Sequence, residues 1–355
     1  MGNKKFKVLI VDDSRIVSEL LTELVESDAD LTVMGTAVDP YEAVRLIQNE
    51  TPDVILLDIE MPKMNGITFL KKIMSQHPIP VVIFSGVAEV HSQNAMDALR
   101  FGALDVIPKP KSVDPRAIEE TRTRILFSLK AAALSRNRLH LIRSQRPEQY
   151  DGSQKEHPKV RLTEKEVNKV IVMGASIGGT QAIEYILTRL KPTAPPILIT
   201  QHMPGGFTRS FAERLESICP LTVSEAEENQ VLEQGHVYIA NGYYHLQLAR
   251  TGMHYKVRLT DDEPVNRHKP SVDVLFWSAI KSVSPEKLVA ILLTGMGEDG
   301  ARSMLDLKHA GALTIAQDEK SSVVWGMPGK AVKIGAATQV LSLSEITEVL
   351  NKLKC

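Results

Sequence analysis

Short apolar runs separated by amphipathic stretches fill the first third of the chain. Val8 to Val11, Val54 to Leu57, Val81 to Phe84 and Asp105 to Ile107 have the length and composition of buried strands. Between them Ile16, Leu20 and Leu24, and later Ala43, Val44 and Ile47, recur at helical spacing, which predicts a βα repeat around a parallel sheet. Asp114-Pro115 reads as the N-cap and first residue of a closing helix that carries Ile118, Ile125, Leu126 and Leu129 and runs through the alanines toward His140. From Arg143 to Asn168 the periodicity is lost, and both charge signs mix with Pro147, Gly152 and Pro158, as in a solvated linker. The βα pattern returns at Lys169, with strands expected near 170–173, 197–200, 236–240, 288–293 and 312–316. Around Gly252 the runs YHLQLA and YKVRLT alternate apolar and polar residues, which predicts a small antiparallel hairpin inserted on one sheet edge. The expectation is an α/β protein of two doubly wound parallel-sheet domains, 1–130 and 167–355, joined by a linker over 131–166.

Composition narrows the class. A chain of 355 residues accommodates two domains that each bury a core, and a net charge of −1 argues against a broad basic face for nucleic acid or an anionic membrane. The two cysteines, Cys219 and Cys355, form neither a disulfide framework nor a metal spacing, so a reducing, cytoplasmic setting is expected. The apolar run in MGNKKFKVLIVDD is too short for a signal peptide, and no stretch is long enough to span a bilayer.

In open parallel sheets, ligands collect at the carboxyl ends of the strands. In the first half those ends carry Asp12-Asp13, Asp58, Ser85 and Lys109. Each alone has an ordinary reading as a helix cap or solvated surface; together they make one site. The carboxylates of Asp12, Asp13 and Asp58 repel one another unless a hard cation sits among them, which implies Mg²⁺. Asp58 is then the candidate phosphoryl acceptor, Ser85 a hydrogen-bond donor to the phosphoryl group, and Lys109 the charge that neutralises it. The runs KVLIVDDS, VILLDIEMPKMNG, VVIFSG and DVIPKP resemble the receiver domain of two-component response regulators. The resemblance implies a flavodoxin-like fold and phosphorylation of Asp58 by a histidine kinase. It also implies Mg²⁺ on Asp13, Asp58 and the carbonyl of Glu60 or Ile59, and a cis peptide before Pro110.

The second half is organised around KVIVMGASIGGTQ, residues 169–181: an apolar strand, a glycine-flanked turn and a helix start. Glycines remove the Cβ atoms that would block a sharp strand-to-helix bend, so Ser176 can present its hydroxyl above the sheet edge, near backbone N–H groups able to meet an oxyanion. A phosphate-binding turn or a plain helix N-cap is the bland alternative. A serine nucleophile needs a base and an orienting acid. Of His202, His236, His245, His254, His268 and His309, only His202 directly follows a buried strand, ILITQ. Asp299 follows KLVAILLT in the loop GMGEDG, at the same edge. A rival reading takes Gly295, Gly297 and Gly300 as a G-x-G-x-x-G dinucleotide turn with Asp318 at the ribose, making a receiver-linked oxidoreductase. Glu298 and Asp299 would then face the pyrophosphate and cancel the attraction of the helix N-terminus.

The order Ser176, His202, Asp299 departs from that of the α/β-hydrolases. GASIGG, QHMP and TGMGEDG instead resemble the catalytic domain of the chemotaxis protein-glutamate methylesterases, and a receiver, linker and such a domain is that family's architecture. The resemblance implies a Rossmann-like domain that hydrolyses glutamate γ-methyl esters on the cytoplasmic helices of methyl-accepting chemotaxis receptors. It also implies deamidation of particular glutamines there, and a chemotaxis histidine kinase as phosphodonor. Ser176 would attack, His202 carry the proton and Asp299 orient the imidazole, with no cofactor for hydrolysis. Met296 matches a backbone oxyanion donor; the N–H of Ile177 is a second candidate. Ile177 stands where the family commonly has Thr, so the hydroxyl that steadies the histidine is missing. The resemblance further implies inhibition by the unphosphorylated receiver.

Overall fold

In the computed structural model the chain divides into two compact units, Met1–Arg143 and Ser144–Cys355. Residues 5–61, 65–86, 89–110, 114–139 and 167–353 are described. The linker expected from Arg143 lies almost wholly outside them.

The first unit runs β1 (Phe6–Val11), α1 (Arg15–Glu26), β2 (Leu31–Ala37), α2 (Pro40–Asn49), β3 (Val54–Leu57), α3 (Gly66–Gln76), β4 (Val81–Ser85), α4 (Glu89–Phe101), β5 (Asp105–Pro108) and α5 (Pro115–Leu134). Its strands are all parallel in the order β2-β1-β3-β4-β5. The order reverses between β1 and β3, and a crevice at their carboxyl ends follows from that reversal. Strands β1, β3 and β4 are apolar because both faces are covered; Val8 to Val11, Val54 to Leu57 and Val81 to Phe84 are buried. Several expectations differ, and among them Val44 and Ile118, read as positions on apolar helical faces, are exposed. Strand β2, LTVMGTA, lies at the sheet edge, half-buried and mixed in polarity, and no buried-strand pattern marked it. Helix α1 turns Ser18, Leu21, Leu24 and Val25 inward and leaves Ile16 and Leu20 exposed, so its buried face is rotated from the one the spacing predicts. Helix α5 continues past residue 130 to Leu134 and a 3-10 turn follows at Arg136–Arg138, with Ala131, Ala132 and Ala133 buried.

The second unit runs β6 (Val170–Ala175), α6 (Gly179–Leu187), β7 (Ile197–Gln201), α7 (Thr208–Ile218), β8 (Thr222–Glu225), β9 (His236–Ile239), β10 (His245–Thr251), β11 (His254–Thr260), α8 (Val272–Ser282), β12 (Leu288–Leu292), α9 (Ala301–Ala310), β13 (Leu313–Gln317), α10 (Met327–Lys333), β14 (Gln339–Leu341) and α11 (Leu343–Lys352). Seven of these strands form a parallel sheet in the order β14-β13-β12-β6-β7-β9-β8. The order reverses between β6 and β12, the strands that precede Ser176 and Asp299. The unexpected strands β8 and β14 are its two edges, short and partly polar, as edges commonly are. The hairpin β10–β11 is a separate antiparallel sheet rather than an extension of the edge. It packs on α8: Leu246 and Leu248 join Leu275, Phe276 and Ala279 in the core, and Leu248 N–H donates to Ser278 Oγ at 2.8 Å.

Close approach of backbone decides the sheet centre. A Cβ on Gly174 would lie 2.3 Å from Val272 Cγ1, and one on Gly300, at φ +83°, 2.5 Å from the same atom. Val272 belongs to a packed helix, so Gly174→Ala is expected to lower stability by about 1–3 kcal/mol through overpacking, read as a lower urea midpoint with unchanged slope.

Candidate active site and phosphoacceptor site

Strand β6 ends in the turn that carries Ser176. Gly178, at φ +75°, caps α6, and Gly179 N–H donates to the Ser176 carbonyl at 2.8 Å. Ser176 N–H donates to Thr294 O at 3.0 Å, tying the turn to the end of β12. The serine is not held out in the open as expected: it is 5% exposed, and a Cβ on Gly295 would lie 2.7 Å from its own Cβ. His202 follows β7, and its N–H donates to Ala175 O at 3.0 Å, which sets it beside the Ser176 turn. Gln201 Nε2 donates to the Ser176 carbonyl at 2.9 Å. Asp299, buried in the loop between β12 and α9, lies 2.8 Å by Oδ2 from His202 Nε2.

Asp299 is satisfied on every side. Oδ2 also accepts from Val272 N–H at 2.7 Å; Oδ1 accepts from Asn266 Nδ2 at 2.8 Å, Ser271 Oγ at 2.9 Å and Asp273 N–H at 3.3 Å. Two of these donors are the first N–H groups of α8, which have no partner within a helix. Burial opposes the charged carboxylate, but the bonds from His202, Asn266 and Val272 outweigh it and hold Asp299 well below the usual aspartate range. An ionised carboxylate can only accept, so His202 Nε2 carries the hydrogen and Nδ1 is the basic ring nitrogen. Asp273, buried beside Asp299, moves the other way. Burial raises it and the Asp299 charge adds to that, while hydrogen bonds from Ser303 and Asn266 oppose the rise.

Of the oxyanion candidates, Ile177 is 3% exposed and its carbonyl accepts from Thr294 Oγ1 at 3.0 Å, while Met296 is half-buried beside Gly295, whose carbonyl takes N–H bonds from Gly326 and Met327. The dinucleotide reading loses Asp318, the acid it needs at the ribose, while the two acids that stand against it take other partners. Glu298 pairs with Lys330 at 2.7 Å, Asp299 faces His202, and Asp318 Oδ1 caps its own turn on Ser321 N–H at 2.9 Å. Sequence reasoning missed Asn266, Ser271 and the α8 N-terminus around Asp299, and it missed His268, whose ring stacks on His202 at 3.7 Å. Ser271-Val272-Asp273 before an apolar run did signal a helix start.

In the first unit, Asp12, Asp13 and Asp58 converge at the β1/β3 switch, each offering an oxygen within 4.8 Å of the others. Lys109 Nζ donates to Asp12 Oδ2 at 2.9 Å and to Asp58 Oδ2 at 2.6 Å, and Asp58 Oδ1 accepts from Glu60 N–H at 3.0 Å. Lys109 does so without the expected cis bond; among the described residues the cis peptide is Lys269–Pro270. Burial pushes Asp58 up to about 6 despite Lys109, with the charges of Asp12 and Asp13 pushing the same way. Ser85 Oγ is buried and has no hydrogen-bond partner among the described residues. Crowded hard oxygen donors suit Mg²⁺, and a buried hydroxyl with spare donor capacity suits a phosphoryl oxygen.

The fold and site define a response-regulator receiver joined to a serine-hydrolase type of α/β domain. The receiver domain family matches residues 8–120, and the CheB methylesterase family matches residues 171–350. The chain belongs to the CheB family of receiver-linked methylesterases. It is 45% identical to protein-glutamate methylesterase/protein-glutamine glutaminase 3 of Geobacter metallireducens, over 99% of this chain and 99% of that protein. It is 46% identical to protein-glutamate methylesterase/protein-glutamine glutaminase 1 of Hahella chejuensis, over 97% of this chain and 95% of that protein. The crystal structure of the Thermotoga maritima CheB methylesterase catalytic domain shares 37% identity and a TM-score of 0.51, covering 53% of this chain and 99% of that one. Receivers as a class are phosphorylated with Mg²⁺. Among the described residues no helix is long and apolar enough to cross a membrane.

Proposed function

We propose that this chain is a phosphorylation-activated hydrolase that demethylates glutamate γ-methyl esters, and deamidates specific glutamines, on the cytoplasmic helices of chemoreceptors. The observation that carries the reading is the 2.8 Å contact of His202 Nε2 with Asp299 at the sheet edge where β6 delivers Ser176. Ser176 Oγ attacks the ester carbonyl and His202 Nδ1 takes its proton. The tetrahedral oxyanion is met by backbone N–H groups, with Met296 and Ile177 as the candidates, and the proton passes to methanol as it leaves. Water, activated by the same imidazole, then frees the glutamate from the acyl-enzyme. A primary amide follows the same steps with ammonia as leaving group, so one site serves both substrates. Methanol release from methylated receptor membranes tests the reading; none, with or without phosphodonor, would sink it.

In the receiver, Asp12, Asp13 and Asp58 would hold Mg²⁺, which screens charge between the carboxylates and the incoming phosphoryl group. Asp58 is the acceptor, from a chemotaxis histidine kinase. Ser85 Oγ donates to the phosphoryl group, and Lys109, already on Asp12 and Asp58, balances its charge. A small phosphodonor with Mg²⁺ is expected to raise the full chain's initial rate about 5- to 150-fold, the range of ordinary coupling energies. Asp58→Asn should abolish that gain, and a fragment starting near Glu164 should be faster than the unphosphorylated full chain and indifferent to phosphodonor. A fragment slower than the unphosphorylated chain would mean that the receiver assists rather than restrains.

A further inference from the structure

Residues 265–268 form a tight turn that reaches the centre of the candidate active site from outside the sheet edge. Val265 N–H donates to His268 O at 3.1 Å and His268 N–H donates back to Val265 O at 2.9 Å. The two residues between them, Asn266 at φ +52° and Arg267 at φ +67°, both lie in the left-handed region, as a type I′ turn requires. Asparagine tolerates that region, but arginine does not, so the conformation is intrinsically costly at Arg267. Strain of this kind persists where the surroundings over-determine it, and it is found disproportionately at functional sites.

Both ends of the turn meet the catalytic pair. Asn266 Nδ2 donates to Asp273 Oδ2 at 2.6 Å and to Asp299 Oδ1 at 2.8 Å, so one amide spans two buried carboxylates. Those carboxylates repel each other, and the bridge offsets the repulsion on the face opposite His202. Asp273 is itself anchored to α9 through Ser303, whose N–H donates to Oδ1 at 3.0 Å, so the bridge ends on a fixed element. At the other end of the turn the His268 ring lies on the His202 ring with centroids 3.7 Å apart and planes within 12°. A ring stacked face to face on the imidazole resists tilting of its plane about the bond to Asp299.

We infer that the Val265–His268 turn is a positioning clamp, in which Asn266 fixes Asp299 against Asp273 and His268 fixes the plane of the His202 imidazole by stacking. The inference rests on the roles proposed above for Ser176, His202 and Asp299. Neither Asn266 nor His268 touches the reacting atoms in it; both act through another residue.

The test uses the full chain, phosphodonor present throughout, and two readouts: methanol release from methylated receptor membranes, and the rate at which a fluorophosphonate probe phosphonylates Ser176 with loss of fluoride. Asn266→Gly removes the amide while keeping a residue suited to positive φ. It is expected to lower kcat and the labelling rate together, by roughly 10- to 100-fold, with KM within about threefold. His268→Ala should show the same split, and His268→Phe, which keeps a planar ring over His202, should recover most of the loss. Thermal midpoints decide whether a variant is folded; if Asn266→Gly does not fold, the His268 pair carries the decision. A wild-type kcat in Asn266→Gly and His268→Ala overturns the clamp. A His268→Phe variant as slow as His268→Ala overturns stacking, because the imidazole itself would then be required. A rise in KM with kcat and labelling unchanged overturns positioning in favour of substrate contact. If wild-type Ser176 is not labelled at all, it is the nucleophile assignment that fails, which is a different outcome from any of these.

Discussion

Ser176→Ala is expected to lower methanol release on the order of 10⁶-fold in kcat, the scale set by removing the nucleophile from other serine hydrolases. Phosphorylation of Asp58 should be unaffected. The size follows from the local structure. Ser176 is 5% exposed, its carbonyl is taken by Gly179 N–H and Gln201 Nε2, and its N–H is bound to Thr294 O, so the turn has little freedom to admit a water in the hydroxyl's place. Whatever turnover survives must come from the backbone donors and substrate binding alone. The independence of phosphorylation follows from the two sheets, each with its own core and its own switch point. The check is paired: methanol release, and incorporation of phosphoryl group from a small donor with Mg²⁺, on one preparation. Retained turnover refutes the nucleophile, and lost phosphorylation would mean that the substitution damages more than its own site.

Both halves were legible because parallel strands buried on both faces are written as unbroken apolar runs, and because chemistry collects where those runs stop. Asp58, Lys109, Ser176, His202 and Asp299 all sit at such stops, and the structure brings the first two and the last two into direct contact. Strands β2, β8 and β14 were not legible for the converse reason: an edge strand is half-solvated and has no apolar run to show. The hairpin was visible by its alternation, but alternation tells which face is buried and not what buries it, so α8 was not foreseen as its partner.

The surroundings of Asp299 escaped for a different reason. Asn266, Ser271 and the N–H groups of Val272 and Asp273 belong to a segment that directly adjoins none of the strands leading to the three candidate catalytic residues. A buried carboxylate at that edge demands donors, but nothing local names them. Likewise His268 has no strand end to place it; two consecutive left-handed residues put it over His202, and Arg267 in that conformation is not predicted by turn preferences.

Asp299→Asn is the second large effect, and its two consequences separate. Kinetically it should cost about 10⁴-fold in kcat, less than the loss in Ser176→Ala, because Ser176 and His202 remain but the favoured tautomer is lost. The structural cost comes from the donors. His202, Asn266, Ser271, Val272 and Asp273 all aim hydrogens at Asp299, and an asparagine can accept on one side only while turning its own N–H groups against the rest. Orphaning one or two buried donors costs about 1–3 kcal/mol each, so the urea midpoint should fall as well. The pH dependence of that gap has a definite sign. Asp299 is held below the ordinary aspartate range in the folded protein, so its stabilisation is fully present above about pH 4 and declines as the unfolded chain takes up the proton below it. The difference in stability between wild type and Asp299→Asn should therefore narrow with acidification below about pH 4. A gap that widens there would show the carboxyl to be held neutral. A kinetic loss exceeding that of Ser176→Ala would give Asp299 a part in bond making, which an orienting acid does not have.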